Sequence, residues 1–228
     1  MKKTYTAIAL GLSLAYAAIP ALADSAAIDQ NGTANDAYIE QVSNTNATAT
    51  ITQGGAYNGA SILQNSVSDS FATVTQSGAA NHGVITQTDG SGLTASVSQD
   101  GWNNHGVISQ TGADNVADVT QLGAYNSAQI EQGGEANFAA TYQGGFANMA
   151  TIHQGEGTSN IATTAQTGSY NSADIAQVGD LNSASITQYG TGWNDAMRNV
   201  ASITQNGTGF TASVTQSGNS NLANIHQH

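Results

Sequence analysis

His82 and His105 are the side chains best suited to metal chemistry, because they lie 23 residues apart in a sequence that repeats at about that interval. Placed at one outward position of successive repeats, their rings would stack about 5 Å apart and could share an ion. The chain has no cysteine, and no carboxylate completes the pair. The sequence therefore favours an ordinary surface ladder of histidines, with metal binding as the alternative.

Acidic side chains are the other candidates for chemistry. Asp36, Glu40, Asp118, Glu131 and Asp174 occupy outward positions and could bind Ca²⁺, but the Gly-Gly-x-Gly-x-Asp pattern of calcium-binding β-helices is absent. No nucleophile–base spacing or phosphate-binding loop converges on them, so we expect neither an enzyme nor a cofactor. The sequence predicts instead that these carboxylates limit lateral clumping and premature assembly.

The spacing of glutamine marks the repeating strands on which these residues lie. It recurs at intervals of 11 or 12 residues, with one interval of 17. The 18 anchors are Gln30, Gln41, Gln53, Gln64, Gln76, Gln87, Gln99, Gln110, Gln121, Gln132, Gln143, Gln154, Gln166, Gln177, Gln188, Gln205, Gln216 and Gln227. Because the first intervals alternate between 11 and 12, the repeat contains two arcs and spans 22 to 23 residues. Nine such units fill the chain after residue 23.

Residues before each glutamine alternate between small or apolar and polar types, as in the segments 60–64 (ASILQ) and 72–76 (ATVTQ). A two-residue period rich in Val, Ile and Thr, bounded by Gly and Asn, is typical of β-strands. The positions two, four and six before each glutamine therefore share its face. The positions between them vary freely, as a solvated face would.

The inward positions and one turn position are nearly invariant. In the second of two alternating glutamine sets, the residue two before glutamine is Ile39, Ile62, Ile85, Ile108, Ile130, Ile152, Ile175, Ile203 or Ile225. The residue six before it is Asn35, Asn58, Asn81, Asn104, Asn126, Asn148, Asn171, Asn199 or Asn221. The residue two after each glutamine of the first set is Gly32, Gly55, Gly78, Gly101, Gly123, Gly145, Gly168, Gly190 or Gly218. A recurring turn glycine suggests a backbone angle that residues with a Cβ resist.

These patterns predict an all-β fold, a two-sheet β-solenoid of about nine strand–turn–strand rungs. Rungs stacked at about 4.8 Å would form a rod of roughly 43 Å. Identical residues would then lie above one another, with Ala and Ile in a thin core. Buried Asn and Gln would be costly alone, but in a ladder each amide can bond its neighbours above and below.

The first 23 residues predict a secretory signal peptide. Lys2 and Lys3 precede an apolar run, 7–18, and the segment 21–23 (ALA) suits signal peptidase. The remaining domain, 24–228, would carry 15 acidic residues and one basic residue, Arg198. Such a chain is expected to avoid nucleic acid and anionic lipid, and we expect no membrane insertion of the mature chain. Without cysteine, no disulfide framework can stabilise it.

Both ends of the predicted solenoid lack an evident cap. The first strand is expected to begin at Ala26, two residues after the cleavage site, and the last to end at Gln227. Neither proline nor a run of charges blocks these strand edges. Because soluble solenoids need capping elements, the sequence predicts head-to-tail addition of subunits into a cross-β fibre.

The unit Q-x-G-x-x-N-x-A-x-I-x-Q resembles the curlin repeat of curli fibre subunits. It is complete in 30–41, 53–64, 121–132, 166–177 and 216–227. The resemblance implies a secreted functional amyloid of the biofilm matrix of a Gram-negative bacterium, with roles in adhesion and cell aggregation. It also implies self-assembly into a cell-surface fibre, with a nucleator subunit and curli-type secretion and assembly proteins as partners. In its regular repeats and its excess of acidic over basic residues, the chain is more similar to the major subunits of this family than to its nucleators.

Three features leave alternatives open. The long interval places an insertion, 191–198, in one tight turn, which is either a recognition loop or a tolerated surface insertion. Outward aromatic and apolar residues either favour bundling and adhesion or pack across strands. These residues are Tyr38, Phe71, Phe138, Tyr142 and Leu222.

The third feature is a set of threonine arrays, such as Thr48, Thr50 and Thr52, which resemble those of monomeric ice-binding β-solenoids. Asp118, Phe138 and Tyr142 are expected to interrupt the array on the same sheet, so ice binding is the alternative function.

Overall fold

The computed structural model of the protein describes residues 24–192 and 194–228. The predicted signal peptide and Trp193 lie outside the described residues. The odd-numbered strands are β1 Ser25–Thr33, β3 Thr48–Ala56, β5 Phe71–Ala79, β7 Thr94–Trp102, β9 Val116–Ala124, β11 Phe138–Phe146, β13 Ile161–Ser169, β15 Ser183–Thr191 and β17 Thr211–Ser217. The even-numbered strands are β2 Asp36–Val42, β4 Gly59–Ser68, β6 His82–Ser91, β8 His105–Ala113, β10 Ser127–Gln132, β12 Met149–Gln154, β14 Asn171–Val178, β16 Asn199–Asn206 and β18 Leu222–Gln227. One turn of 3-10 helix, Asp195–Met197, lies between β15 and β16.

The strands form two nine-stranded parallel sheets, here called the odd sheet and the even sheet. Each rung contributes one strand to each sheet, and consecutive rungs are neighbours throughout. The register places like residue beside like, as in Gln30 with Gln53 in the odd sheet and Gln41 with Gln64 in the even sheet. This topology confirms the predicted two-sheet β-solenoid of nine rungs.

Strands of the odd sheet run further than the sequence pattern indicated. The two-residue alternation before the first glutamine predicts a strand over residues 26–30, but β1 continues to Thr33, and Gly32 pairs with Gly55 of the next rung. Because every turn stacks on an equivalent turn, the hydrogen-bonded ladder continues around the bend. The two-residue alternation marks only the part of each strand before the turn. The sequence pattern therefore predicts a strand end that is too early.

Alanine and branched aliphatic side chains form a thin core between the sheets. Ala49, Ile51 and Ile62 have no solvent exposure, and equivalent residues of the other inner rungs are also buried. Small alanines let the sheets approach, while isoleucine and valine fill the remaining space. At two rungs threonine replaces the aliphatic residue of the odd sheet, and Thr164 donates a hydrogen bond to Thr141 (3.1 Å).

The faces turned away from the core are polar or partly exposed. Outward positions alternate with buried ones along the strands, as in β7, where Thr94 is exposed and Ala95 is buried. In the described part of the chain, no helix is long and apolar enough to cross a membrane.

Candidate assembly site: the amide ladders and the terminal rungs

Two glutamine ladders run the length of the solenoid, one for each sheet. In every step Nε2 donates to Oε1 of the glutamine in the next rung, at 2.7–2.9 Å. The same nitrogen also reaches a main-chain carbonyl of the opposite strand, as Gln53 does with Asp36 O (2.9 Å). From the second rung inward these side chains are buried, and no buried side-chain polar atom among the described residues lacks a partner. The amides therefore lie in the interior without an unsatisfied group.

An asparagine ladder crosses the turn from the odd to the even sheet and has the opposite direction. Asn58 donates from its main-chain N (3.0 Å) and from Nδ2 (3.2 Å) to Oδ1 of Asn35 in the preceding rung. Its Nδ2 also donates to Gly54 O (2.9 Å) and Gly78 O (3.2 Å), which lie on the turn. Equivalent bonds continue to Asn221. Each asparagine thus fixes its own turn and joins two neighbouring rungs.

Glycine is required at this turn for two reasons. Eight of the nine predicted turn glycines have φ between +95° and +131°, a region that residues with a Cβ rarely adopt. In addition, a Cβ on Gly55 would overlap the carbonyl oxygen of Gly78, and the other inner turns repeat this close approach. Gly190 is a correction to the sequence interpretation, because its φ is not positive. The insertion begins directly after it, and Asn171 and Asn199 fill the space that a side chain would need.

A second asparagine ladder lies in the return turn from the even to the odd sheet, and the sequence interpretation missed it. It consists of Asn115, Asn137, Asn160 and Asn182, all buried and hydrogen-bonded from rung to rung. The signal was present, since each lies six residues before a glutamine of the first set. Earlier rungs carry a small apolar cluster at this turn instead, formed by Ala47, Val67 and Leu93. The residue six before the glutamine is Ala47, Ser70 or Leu93 in those earlier rungs, so the position looks variable in the sequence.

Non-glycine residues with positive φ were also missed. Two residues after the turn glycine, Ala34, Tyr57 and Ala80 adopt φ of 53–58°, and Asn103 and Tyr125 do the same in later rungs. From the second rung onward these residues donate their N–H to the preceding rung, as Tyr57 does to Thr33 O (2.9 Å). The ladder therefore holds these residues in the left-handed conformation whatever their type, so the sequence carries no signal for it.

The terminal rungs present unlike groups, because both kinds of ladder have a direction. The glutamine ladders begin at Gln30 and Gln41 and end at Gln216 and Gln227. Among the described residues, Gln216 Nε2 has only Val200 O (2.9 Å) as acceptor and Gln227 Nε2 only Thr211 O (3.4 Å). In the glutamine ladders the first rung thus offers amide oxygens and the last rung offers amide nitrogens, whereas the asparagine ladder has the opposite polarity. Core residues next to them, such as Ile28 and Ile225, are only partly buried.

Aromatic side chains line the edge formed by the turns from the odd to the even sheet. Trp102, Tyr125, Phe146 and Tyr170 lie in four successive rungs and contact one another edge to face, with ring centroids 4.6–5.7 Å apart. These ring contacts reinforce rung stacking from outside the core. The outward residues named from the sequence, which include Phe71 and Leu222, are exposed.

Among the histidines, His82 and His105 stack with ring centroids 5.1 Å apart and planes 4° from parallel. Across the described residues, no group of three or more His, Cys, Asp or Glu side chains could hold a metal ion. His153 Nδ1 lies 3.3 Å from Glu131 Oε2 in the preceding rung. Burial raises the pKa of Asp174, an effect that a hydrogen bond from Ser202 and the nearby His153 oppose. The charged groups are thus dispersed along the outer faces.

The histidine stack should make the solenoid less stable in acid. Partial burial, and then the neighbouring His82, lower the pKa of His105 below its usual 6.5. The unfolded chain therefore takes up this proton first as the pH falls, so stability declines below about pH 6.5. We expect His105→Gln to reduce the shift of the guanidinium unfolding midpoint between pH 7.5 and pH 5. His153→Gln is the matched control, because that imidazole faces a carboxylate. An equal shift in wild type and His105→Gln would contradict the assignment.

The described residues of the insertion, 191–192 and 194–198, lie beside the aromatic edge. Asn194 Oδ1 accepts from Ala196 N (3.0 Å) at the start of the 3-10 turn, and Ser220 N donates to Met197 O (3.2 Å). A shallow cavity of about 300 Å³ lies between this loop and the edge, lined in part by Tyr170 and Arg198. The loop leaves the ladders unbroken, since Asn199 Nδ2 donates to Asn171 Oδ1 (3.0 Å) across the longer interval. The insertion is therefore accommodated outside the stack.

Comparison with known protein families gives a match to the model for the curlin associated repeat. The matched segments are 68–101, 102–134, 157–190 and 197–228, which together cover more than half of the chain. No curated protein matches the chain. The matched segments contain 12 of the 18 glutamine anchors and six of the nine turn glycines described above. The chain belongs to the curlin associated repeat family, a structural and non-enzymatic family.

Proposed function

We propose that this protein is the structural subunit of a secreted, extracellular amyloid fibre that grows by head-to-tail stacking of solenoids. The observation that carries the proposal is the complementarity of the terminal rungs. Oε1 of Gln30 and Gln41 at the first rung matches Nε2 of Gln216 and Gln227 at the last. A second copy placed on the last rung would continue both glutamine ladders in the direction they already have.

Inward side chains of the two terminal rungs also match. Aligning Gln227 with Gln41 of the next copy places Ile225 beside Ile39 and Asn221 beside Asn35. The same alignment repeats the register of every interior rung, such as Ile203 with Ile225. Stacking would bury the partly exposed core residues at each junction, and this apolar burial favours association.

The last turn glycine supports the same arrangement. At Gly55 and the other inner turns a Cβ would overlap a carbonyl of the next rung, whereas at Gly218 the nearest atom is Asn221 Nδ2 at 3.7 Å. The last turn thus keeps the clearance that stacking requires, although no described residue uses it. Gly32 of a following copy would fill that position.

The polarity of the fibre follows from charge and hydrogen bonding. The first rung carries four carboxylates, Asp24, Asp29, Asp36 and Glu40. Joining two first rungs would oppose these carboxylates and also oppose amide oxygens, and both contacts are unfavourable. Head-to-tail stacking avoids both contacts.

Family membership supports the wider role. We infer a cell-surface fibre of a Gram-negative bacterium that contributes to biofilm matrix, adhesion and cell aggregation, with a nucleator subunit and curli-type secretion proteins as partners. An ice-binding function has less support, because the odd sheet does not present an uninterrupted threonine array. Phe138 and Tyr142 project from it and are 39% and 42% exposed.

The purified protein, released from denaturant, should lose monomer over time and form fibres with a meridional reflection near 4.7 Å, the spacing of stacked strands. Preformed fibres should abolish the lag, because each end provides a template. Dye binding, sedimentation and fibre diffraction measure these outcomes. A monomer that persists through long incubation with seeds, or that shows thermal hysteresis, would exclude the fibre.

Asn224→Pro should block growth at the last rung without disturbing the subunit. Outward residues donate their main-chain N–H to the following rung, as Val200 N does to Asn221 O (2.8 Å). By the two-residue period, the N–H of Asn224 points to the open edge, where proline costs the subunit no hydrogen bond. We expect seeded elongation to slow at least about tenfold, since one lost ladder bond and a steric clash affect each junction. Asn224→Ala, the matched control, should elongate normally.

A further inference from the structure

The two terminal rungs differ in charge as well as in hydrogen bonding. The first rung carries acidic side chains in both of its strands, whereas residues 206–228 contain no Asp or Glu. The last rung instead carries two imidazoles, His226 and His228, whose ring centroids lie 5.1 Å apart. The end that would receive the next copy can therefore become cationic, while the surface it would meet is anionic.

The ladder register fixes which of these groups meet. If Gln227 continues the ladder into Gln41 of the next copy, the preceding residues, His226 and Glu40, become outward neighbours in adjacent rungs. Both side chains are exposed in the single subunit. Continuing the solenoid would thus bring an imidazole beside a carboxylate at each junction.

An equivalent pair already exists inside the solenoid. His153 and Glu131 occupy the same outward position, immediately before the glutamine, in the adjacent strands β12 and β10. Their Nδ1 and Oε2 atoms lie 3.3 Å apart. The spacing of adjacent rungs at this position therefore suits an ion pair between histidine and glutamate.

The groups around the junction leave this pair as the main charge contact. Thr204 of β16 faces His226 from within the subunit, and His228 lies beside it. In the next copy, the Tyr38 hydroxyl donates to Glu40 Oε2 (2.9 Å), and Leu63 is the neighbour of Glu40 in the following rung. Asp36 would face Leu222, four residues away from the pair.

We propose that His226 and Glu40 of the next copy form an intersubunit ion pair that stabilises each junction between subunits and makes fibre elongation faster in mild acid. This inference rests on the proposed head-to-tail assembly. Imidazoles ordinarily gain their proton below about pH 6.5, and glutamate carboxyls keep their charge above about pH 4.3. Both partners of such a pair are therefore charged between these two pH values. The pair is lost above the upper value, where an imidazole loses its proton, and below the lower value, where a carboxyl gains one.

A double-mutant cycle tests the pair. Seeded elongation rates are measured at pH 5.5 and pH 8 for wild type, His226→Gln, Glu40→Gln and the double variant. At pH 5.5 we expect a coupling of about two- to fivefold in rate, the range for exposed ion pairs, and none at pH 8. His153→Gln is the matched control, because its pair lies within one subunit and should not alter the pH dependence of elongation. Fibres that elongate with no coupling at pH 5.5 would overturn the pair while leaving the proposed assembly in place.

Disulfide trapping tests the register directly. The chain has no cysteine, so the variant His226→Cys with Glu40→Cys contains only the two engineered thiols. Equivalent residues of adjacent strands lie about 5 Å apart, within the Cα range of disulfides. Mild oxidation of its fibres should give a ladder of covalent dimers, trimers and longer chains on non-reducing gels. The control, His153→Cys with Glu131→Cys, should give only monomers.

The outcomes separate this inference from the proposed function. Fibres that give no covalent multimers would overturn the junction register, although a fibre exists. Failure of the wild-type protein to form fibres would overturn the proposed function and, with it, the ion pair.

Discussion

Gln110→Ala should divide the solenoid into two weakly coupled halves. Gln110 is fully buried, and its Nε2 donates to Thr94 O (3.0 Å), Asn115 O (3.1 Å) and Gln132 Oε1 (2.8 Å), while its Oε1 accepts from Gln87 (2.9 Å). Alanine would leave Gln132 Oε1 without its donor and open a cavity in a dry core. We expect a loss of about 3–5 kcal/mol in the free energy of unfolding.

The shape of the unfolding curve should change as well. In a stack of repeats each rung contacts only its neighbours, so a central lesion uncouples the rungs on either side. Circular dichroism during guanidinium unfolding should therefore show a lower midpoint and a broader or two-step transition. Gln129→Ala is the matched control, because that glutamine is exposed on the outer face of β10 and should change stability by less than about 0.5 kcal/mol. Equal effects of the two substitutions would refute a stabilising role for the glutamine ladder.

Gly55→Ala should be at least as damaging, because it combines an unfavourable backbone angle with a steric overlap. Gly55 has φ of +95°, and a Cβ there would overlap the carbonyl oxygen of Gly78 in the next rung. Since that oxygen belongs to the main chain, relief requires the rungs to separate at the turn. We expect the free energy of unfolding to fall by about 4 kcal/mol or more, as it does for substitutions that disrupt a core or strain the backbone.

The neighbouring glycine provides the control. At Gly54 the nearest atom to an added Cβ is Gln76 O at 3.9 Å, and φ is not positive. Gly54→Ala should therefore be neutral or stabilise the fold by up to about 1 kcal/mol, through the unfolded state. Guanidinium midpoints for the two variants measure the difference. A similar loss at Gly54 would mean that the turn is sensitive to any side chain and that the close approach to the next rung is not the cause.

Much of the fold could be predicted from the sequence because stacking requires the same residue at the same place in each rung. The glutamine intervals specified nine rungs, and the constant Ile39-type positions specified the inward face of the even sheet. The return turn was harder to read, since Asn115 and Leu93 satisfy it by different means, hydrogen bonding in one rung and apolar packing in another. A position with two physical solutions shows no single pattern.

Several features of the candidate site were not visible in the repeat. The sequence predicted that amides bond their neighbours, but it did not specify that glutamine donates toward the last rung and asparagine toward the first. It also indicated a special backbone angle at Gly190, whose φ is not positive. The pair formed by His153 and Glu131 was not named from the sequence, although both residues immediately precede a glutamine anchor and the repeat therefore places them in adjacent rungs.

By itself the sequence determined the composition of each layer: which side chains face inward, where the chain turns, and how many rungs it makes. These properties are local or periodic, and periodicity is preserved when identical units stack. Only the tertiary structure decided the direction of the ladders and therefore the difference between the two ends. A hydrogen bond has a donor and an acceptor, and which amide atom faces which neighbour is set by the main chain of the adjacent rung.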